Sequence, residues 1–375
     1  MEKKKKTVLK GISIVILTKN RIRHVQRLFT SLYDELKSFR EPTEVVVIDN
    51  SKPEYATLIT EMCKSYGYKF HFFKGSISEA RNYGMDIAKN SIVLFIDSDC
   101  EVAPGILREH ATSYTEEDIG GVLGLTNFTG KENWVWKTIK KTPFHIAFSF
   151  AKKMDYALWG PCANISFRKE VIEKVGGFRT EFPFGFSGED VDIGLKINES
   201  GYKIKCNPKA IVNHSQESWS NFWSFCRKIF RWGRTDFHIL KRYPYLSTVE
   251  FPKFTTILLL LFALSVILKP VDIEWEIPKL LITWLLCVPL IDTFLKSYKS
   301  LKITNFLFNY LSSWLIFVFE LGAILESLKN GSLSMLYKKI MYGHEQLIFE
   351  WEHRVIQSWS FIVTFAIFLF MLMLR

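Results

Sequence analysis

Residues able to do chemistry concentrate at Asp97-Ser98-Asp99, which follows an apolar run in SIVLFIDSDCE, residues 91–101. The run Ile92-Val93-Leu94-Phe95-Ile96 is too short for a helix and apolar throughout, so it reads as a central strand buried on both faces. Carboxylates at i and i+2 just past such a strand reach the crevice where open α/β sheets bind ligands. Two hard oxygen donors there suit Mg²⁺ or Mn²⁺, which usually bridges a few carboxylates to substrate phosphates. The same tripeptide also makes an ordinary solvated acidic turn. The neighbouring elements have to decide between these readings.

Those elements alternate. Strands are expected at residues 12–17, 45–48, 69–73 and 92–96, and helices at 25–39, 55–66 and 78–88. This alternation implies a doubly wound α/β layer with right-handed crossovers. Three strands then end in polar residues at one edge: Thr18-Lys19-Asn20-Arg21, Asp49, and Asp97 with Asp99. A nucleoside diphosphate is the natural occupant. Asp49 can accept from a base or ribose, and Arg81 and Asn82 open a helix whose positive end suits phosphate. An exposed arginine is the commoner fate of any single arginine. There is no G-x-G-x-x-G after the first strand and no G-x-x-x-x-G-K-[ST], so neither a dinucleotide fold nor a P-loop is indicated.

Farther along, Ser187-Gly188 followed by Glu189-Asp190 reads as the start of a helix running to residue 197, and on these residues alone it is a simple acidic first turn. His214 closes a short strand at 210–212; a lone histidine is more often packed than a ligand. Residues 127–159 mix aromatics with lysines, as an interfacial helix on a membrane does, or a helical insertion on the core. The formal charge of +11 comes without a zinc spacing, an RNP box or a helix-turn-helix pattern, so it fits anionic lipid better than nucleic acid. The six cysteines form no C-x-x-C and read as reduced. The apolar run 11–17 is too short for a signal sequence and reads as a strand.

Taken together, the segments SIVILTKNR, EVVVIDNSK, SEARNYGMDIAKNSIVLFIDSD, GPCANISFRKEVIEKVGGF and SGEDVDIGLKINESGY resemble the family 2 glycosyltransferases, over residues 11–234. The resemblance implies a GT-A fold, a doubly wound mixed sheet. It also implies a nucleotide-sugar donor, UDP- or GDP-linked, contacted by Thr18, Asn20, Arg21, Asp49, Arg81, Asn82 and Asp97. Asp97 and Asp99 become the metal-binding D-x-D for Mg²⁺ or Mn²⁺, joined by His214, and Asp190 the catalytic base with Glu189 orienting acceptor or supporting metal. Where processive synthases of the family carry Q-x-x-R-W, Lys228 stands before Arg231-Trp232. That departure argues against a polymerase and leaves Arg231 and Trp232 on the acceptor or diphosphate side. Dolichol-phosphate sugar synthases share the general plan, but their acceptor is already ionised, so the E-D motif favours a hydroxyl. A nucleotidyltransferase on a related fold would use the same aspartates, yet the expected Gly-rich, lysine-bearing loop is missing.

Beyond residue 240 the texture changes. Apolar stretches at 254–268, 280–295, 306–325 and 361–374 suggest an all-α transmembrane region, several of them near or below the roughly 20 residues that cross a bilayer. Basic residues between the second and third stretches orient residues 1–240, the expected catalytic domain, to the cytoplasm of a multi-pass cell-membrane protein. Residues 335–357 carry both signs of charge and suggest an interfacial amphipathic helix. Glu320, inside the third stretch, is expected to face protein or an acceptor path.

Overall fold

The computed structural model of the protein describes residues 11–250, 253–267, 276–297 and 303–341, with isolated positions between 359 and 370. In chain order the early elements are β1 (Ile12–Thr18), α1 (Ile22–Ser38), β2 (Thr43–Asp49), α2 (Pro53–Tyr66), β3 (Lys69–Phe72), α3 (Ile77–Ile87), β4 (Ile92–Asp97), β5 (Cys100–Val102), α4 (Ile106–Thr112) and β6 (Ile119–Thr129). There follow α5 (Trp134–Ile139), β7 (Tyr156–Ala157), β8 (Asn164–Arg168), α6 (Lys169–Lys174), α7 (Glu189–Glu199) and β9 (Lys203–Ser215). The last are α8 (Phe222–Arg242), β10 (Ser247–Val249), α9 (Phe254–Ile267), α10 (Glu276–Ser297), α11 (Ile303–Lys329) and β11 (Lys338–Ile340).

These elements divide into two compact units. One holds the described residues up to Lys131 and His145–Ser218; the other holds Glu132–Phe144 and the described residues from Trp219 onward. The boundary thus falls ahead of α8 rather than at residue 240, because the buried face of α8 packs on α11. Residues 127–159 do not form one interfacial helix: they are the end of β6, α5, a 3-10 helix Pro143–Lys152 and β7, shared between the two units.

In the first unit a mixed sheet has the order β3-β2-β1-β4-β8-β6-β9-β5, with β7 beside β9. β1 to β4 are parallel, as the alternation of strand and helix requires, and β8 enters antiparallel between β4 and β6. The central strands are apolar on both faces because both faces are covered. Ile12, Ile14 and Ile16 meet Leu28, Phe29 and Leu32 of α1 on one side. Val15, Val93 and Phe95 meet Ala80 and Met85 of α3 on the other. Each such side chain contributes roughly 1.5–3 kcal/mol on burial. The register pairs Thr18 with Asp49 and Leu17 with Asp97, so β1, β2 and β4 end at one edge.

Three strands escape the apolar pattern. β6 is glycine-rich (IGGVLGLTNFT), and Gly121 and Gly124 lie where a Cβ would meet Phe167 at 2.8 Å and Asn164 at 2.2 Å. β8 alternates polar residues that are wholly buried. β9 spans thirteen residues rather than 210–212, with an irregularity past Asn207 at Pro208, which cannot donate to the ladder. Asn164 repairs that irregularity, its Nδ2 donating to the carbonyls of Leu125 (3.0 Å) and Ala210 (2.9 Å). Its Oδ1 can then only accept, so His110 Nε2–H donates to it at 2.9 Å. His110 Nδ1 accepts from Ser166 at 2.9 Å, and Tyr114 O–H lies 2.8 Å from the same hydroxyl.

In the second unit α8 and α11 cross backbone to backbone. A Cβ on Gly233 would stand 1.9 Å from the Phe319 carbonyl oxygen, and one on Gly322 2.2 Å from that of Phe230. Glu326 of α11 accepts from Arg234 Nε (2.7 Å) and lies 3.0 Å from His238 Nε2 on α8. Glu320 accepts from the backbone N–H and hydroxyl of Thr255, both at 2.8 Å, so it caps the start of α9 instead of lining a path. Among the described residues one helix, 305–329, has the length and composition to cross a membrane, and half of it is buried inside the protein. The described part of α9 has fourteen residues, about 21 Å of rise against a core of about 30 Å, and among the described residues the apolar stretch of α10 is Leu285–Phe294. Four spans are therefore not what the described residues show; the 361–374 stretch lies outside them save for isolated positions. Of 335–357, the described residues 335–341 are the end of a 3-10 turn and β11, which pairs antiparallel with β10; the rest of the expected amphipathic helix lies outside the described residues.

Burial pushes the His110 imidazole down to about 4, with the Asn164 bond opposing the shift. A histidine depressed in the fold contributes stability above its free value near 6.5 and loses it as pH falls toward 4, on the order of 3 kcal/mol in all. In chemical denaturation the stability gap between wild type and His110→Gln should narrow over that window; a gap independent of pH would locate the acid sensitivity elsewhere.

Candidate active site

Three groups of side chains meet the edge where β1, β2 and β4 end. The first is built by β-pairing. After Asp97 the chain turns through Ser98-Asp99 into β5, which lies against β9 with Cys100 opposite His214. Ser215 N–H donates to the Asp99 carbonyl at 2.9 Å, closing the register. His214 Nε2 consequently lies 3.4 Å from Asp99 Oδ1, both residues buried. His214 Nδ1 is 3.0 Å from the Ser215 carbonyl, which can only accept, so Nδ1 carries the proton of the neutral ring. Protonated, Nε2 pairs with the Asp99 carboxylate; neutral, it offers its lone pair to a cation held between the two, the tautomer of a metal-bound imidazole. The Arg21 guanidinium bonds Asp99 Oδ2. Burial by itself raises the Asp99 carboxyl, but His214, Arg21 and the Ser218 hydroxyl overcome it and hold the group below its ordinary value.

Asp99, Cys100 and His214 form a group with ligand atoms within 4.8 Å of one another. Cys100 was not anticipated, since its strand neighbours made it a core residue. It behaves as one: burial lifts its thiol well above the ordinary value, and Sγ lies 3.8 Å from the Ala163 carbonyl. The donors that remain, a carboxylate and an imidazole nitrogen, fit a divalent cation, the nitrogen suiting Mn²⁺ better than the harder Mg²⁺.

The second group surrounds Arg81. A capping box at Ser76 and Glu79 starts α3 and places Arg81 in its second turn. The buried guanidinium bonds Glu189 and lies 4.0 Å from Asp97 Oδ1, and Asp97 is 40% exposed. Glu189 is therefore occupied with Arg81 and is no part of the Asp99–His214 group. Gly188, at φ +75°, lets the chain turn into α7, whose first turn carries Glu189, Asp190 and Asp192. Asp192 is fully buried against Arg179 Nε, 3.3 Å from each carboxylate oxygen, and Gly194 packs where a Cβ would meet the Trp159 backbone at 2.6 Å. These contacts fix α7 in rotation and leave Asp190 at the surface of the site. Burial, reinforced by the Glu189 charge and opposed by Arg81, lifts the Asp190 carboxyl to about 7.

The third group differs from expectation. Asp49 is wholly buried, accepting from the Ser51 hydroxyl at 2.6 Å and the Ser51 N–H at 3.1 Å. It shapes the loop in place of meeting a base. Ser51 in turn accepts from Asn20 N–H at 2.7 Å, and Asn20 Oδ1 from Lys52 N–H at 2.9 Å, with Asn20 in the left-handed region at φ +55°. The side chain of Asn82 is likewise committed: it donates to the Phe178 carbonyl and accepts from the Phe178 N–H, both 2.7 Å. Thr18 is buried with its hydroxyl unpartnered, a donor that a ligand at this edge could take up. Arg231 and Trp232 lie on α8 in the second unit, where the Lys228 ammonium sits 4.5 Å from the Trp219 ring and 5.4 Å from that of Trp232. Lys228 thus makes a cation–π contact at the position where processive enzymes carry glutamine.

The family described as Glycosyl transferase family 2 matches residues 13–176, from β1 to the end of α6. Over this stretch, a little under half of the chain, the protein is similar to the family 2 glycosyltransferases. The O-antigen biosynthesis protein RfbC of Myxococcus xanthus is 24% identical over 234 residues, 55% of this chain and 17% of that protein. The chondroitin synthase of Pasteurella multocida is 26% identical over 250 residues, 55% of this chain and 25% of that protein. The chain thus spans a quarter or less of the length of these relatives. Among solved structures the mannosyltransferase PcManGT of Pyrobaculum calidifontis, in complex with GDP-Man and Mn²⁺, matches with a TM-score of 0.51 at 15% identity. That match covers 88% of this chain and 91% of that one. The mixed sheet is accordingly GT-A-like. Asp190 and His214 lie beyond the stretch matched to the glycosyltransferase family, and their roles rest on the geometry above.

If Asp99 and His214 hold the cation, His214→Ala should weaken Mn²⁺ binding at least ~10-fold by electron paramagnetic resonance titration. Asn82→Ala should leave Mn²⁺ affinity alone while lowering stability by about 1–3 kcal/mol, since two buried backbone groups lose their partner. Unchanged Mn²⁺ affinity in a folded His214→Ala protein would place the cation elsewhere.

Proposed function

We propose that the protein is a metal-dependent, inverting glycosyltransferase. Its donor is a sugar on a nucleoside diphosphate, UDP- or GDP-linked, and its acceptor a hydroxyl of a lipid-linked or membrane-proximal molecule. The observation that carries this reading is Asp190. In a domain similar to this family, at the edge that also bears Asp97, Asp99 and Arg81, one carboxylate is lifted to about 7, where a general base works near neutral pH.

Each residue then has a task. Arg81, held by Glu189, offers positive charge to a donor phosphate without being free to swing away. Arg21 does the same from the Asp99 side. Mg²⁺ or Mn²⁺ held by Asp99 and His214, with Asp97 as the further carboxylate of the D-x-D, supplies Lewis-acid neutralisation of the leaving diphosphate. Asp190 takes the proton of the acceptor hydroxyl as its oxygen bonds to the anomeric carbon. The bond from that carbon to the diphosphate oxygen breaks on the opposite face, and the configuration inverts. A phosphate acceptor is already ionised and would make no use of Asp190, which favours a hydroxyl over polyprenyl phosphate. Membrane attachment through the second unit is supported by helix 305–329 and by the lysines between its apolar stretches.

Asp190→Asn should lower turnover by about 10²–10⁴-fold while calorimetry finds UDP or GDP binding unchanged. Loss of nucleotide binding instead would sink the base assignment. Because a carboxyl with a value near 7 must be ionised to accept a proton, kcat/KM of the wild type should climb about tenfold per pH unit below 7 and level off above it. A profile flat from pH 5 to 8 would mean that another group is the base.

A further inference from the structure

In the second unit a groove of about 660 Å³ runs along α8, lined by Ser224, Cys226, Arg227, Phe230, Arg231 and by Val318 of α11. Its charge is one-sided. Arg227 and Arg231 stand one helical turn apart on the exposed side of α8, close enough to repel each other. Among the described residues neither pairs with a carboxylate; Arg227 donates only to the Ser224 hydroxyl, at 3.3 Å. The acidic groups of the facing helix are engaged elsewhere, Glu326 with Arg234 and His238, and Glu320 with Thr255. The remaining wall is apolar and firmly built, because the Phe230 backbone sits against Gly322 with no room for a side chain between the helices. Val318 also belongs to helix 305–329, the one described helix long and apolar enough to cross a bilayer.

Two guanidinium groups with no carboxylate partner among the described residues, beside an apolar wall, match an anion that carries a hydrocarbon chain. We propose that this groove binds the phosphate of an anionic membrane phospholipid, held between the forks of Arg227 and Arg231 with its chain along Phe230 and Val318. Arginine suits this better than lysine, since its planar fork meets two phosphate oxygens at once. Arg231 is thereby assigned to lipid and not to the donor diphosphate. The inference rests on the membrane attachment proposed above, but not on the transferase chemistry.

Native mass spectrometry of the full chain, released from micelles containing equal phosphatidylglycerol and phosphatidylcholine, tests it without reading turnover. The wild type should retain phosphatidylglycerol over phosphatidylcholine by roughly thirty-fold, and Arg227→Gln/Arg231→Gln should lose that preference. Lys241→Gln/Lys329→Gln, which removes the same charge from exposed positions outside the groove, should keep it. Equal loss in both variants would mean a diffuse field and no site. Wild-type selectivity in the arginine variant, or no selectivity in the wild type, would overturn the proposal outright. Binding of glycerol 3-phosphate as strongly as phosphatidylglycerol would reduce the groove to a bare phosphate site and overturn the lipid assignment.

Discussion

A carboxylate cannot be buried alone. Removing Asp99 from water costs several kcal/mol, and the fold tolerates it only because Arg21 and His214 face the two oxygens. Each partner comes from a distant part of the chain, Arg21 from the loop after β1 and His214 from the last strand of the sheet. The pairing of β5 with β9 is what delivers the histidine, and the Ser215 N–H to Asp99 carbonyl bond holds that pairing at its end. The electrostatic need of one side chain and the register of the sheet are thus the same constraint. Either one failing would leave the other unsupported.

A second charge balance sits beside it and is deliberately uneven. Arg81 neutralises Glu189 directly, and Asp97 stands at the limit of an ion pair. Asp190 receives only what remains. It shares the first turn of α7 with two other acids, so a helix start that would ordinarily lower a carboxyl is outweighed by burial and by Glu189. Burial, with the Glu189 charge beside it, raises the Asp190 carboxyl further than Arg81 can bring it down.

Much of this was legible in the chain. β1, β2 and β4 announce themselves because strands covered on both faces are apolar at every position, and the polar residues ending them marked one edge before any register was known. β6, β8 and the early half of β9 did not, for physical reasons. The glycines of β6 admit close-packed neighbours, and the buried Asn164, Ser166 and Arg168 of β8 are satisfied by partners far along the chain. The family resemblance, more than residue type, singled out Asp99, His214, Arg81 and Asp190, and it did not say which of them would pair. Asp49 and Asn82 look like ligands in one dimension; in three, both spend their hydrogen bonds on nearby loops. The second unit misled most, since a helix apolar enough for lipid is equally suited to packing on another helix, and α11 is half buried.

The division of the chain into units also bears on its synthesis. α5 belongs with α8 and α11, yet it is made before β8, α7 and β9 of the other unit have left the ribosome. A nascent chain therefore carries a short helix with Val135, Trp136 and Ile139 uncovered while the sheet is still incomplete. No single cut separates the units either. A fragment ending at residue 218 keeps α5 without the helices that bury it, and a fragment beginning at 219 lacks it. The two units are thus interleaved in the order of synthesis, the second begun before the first is complete.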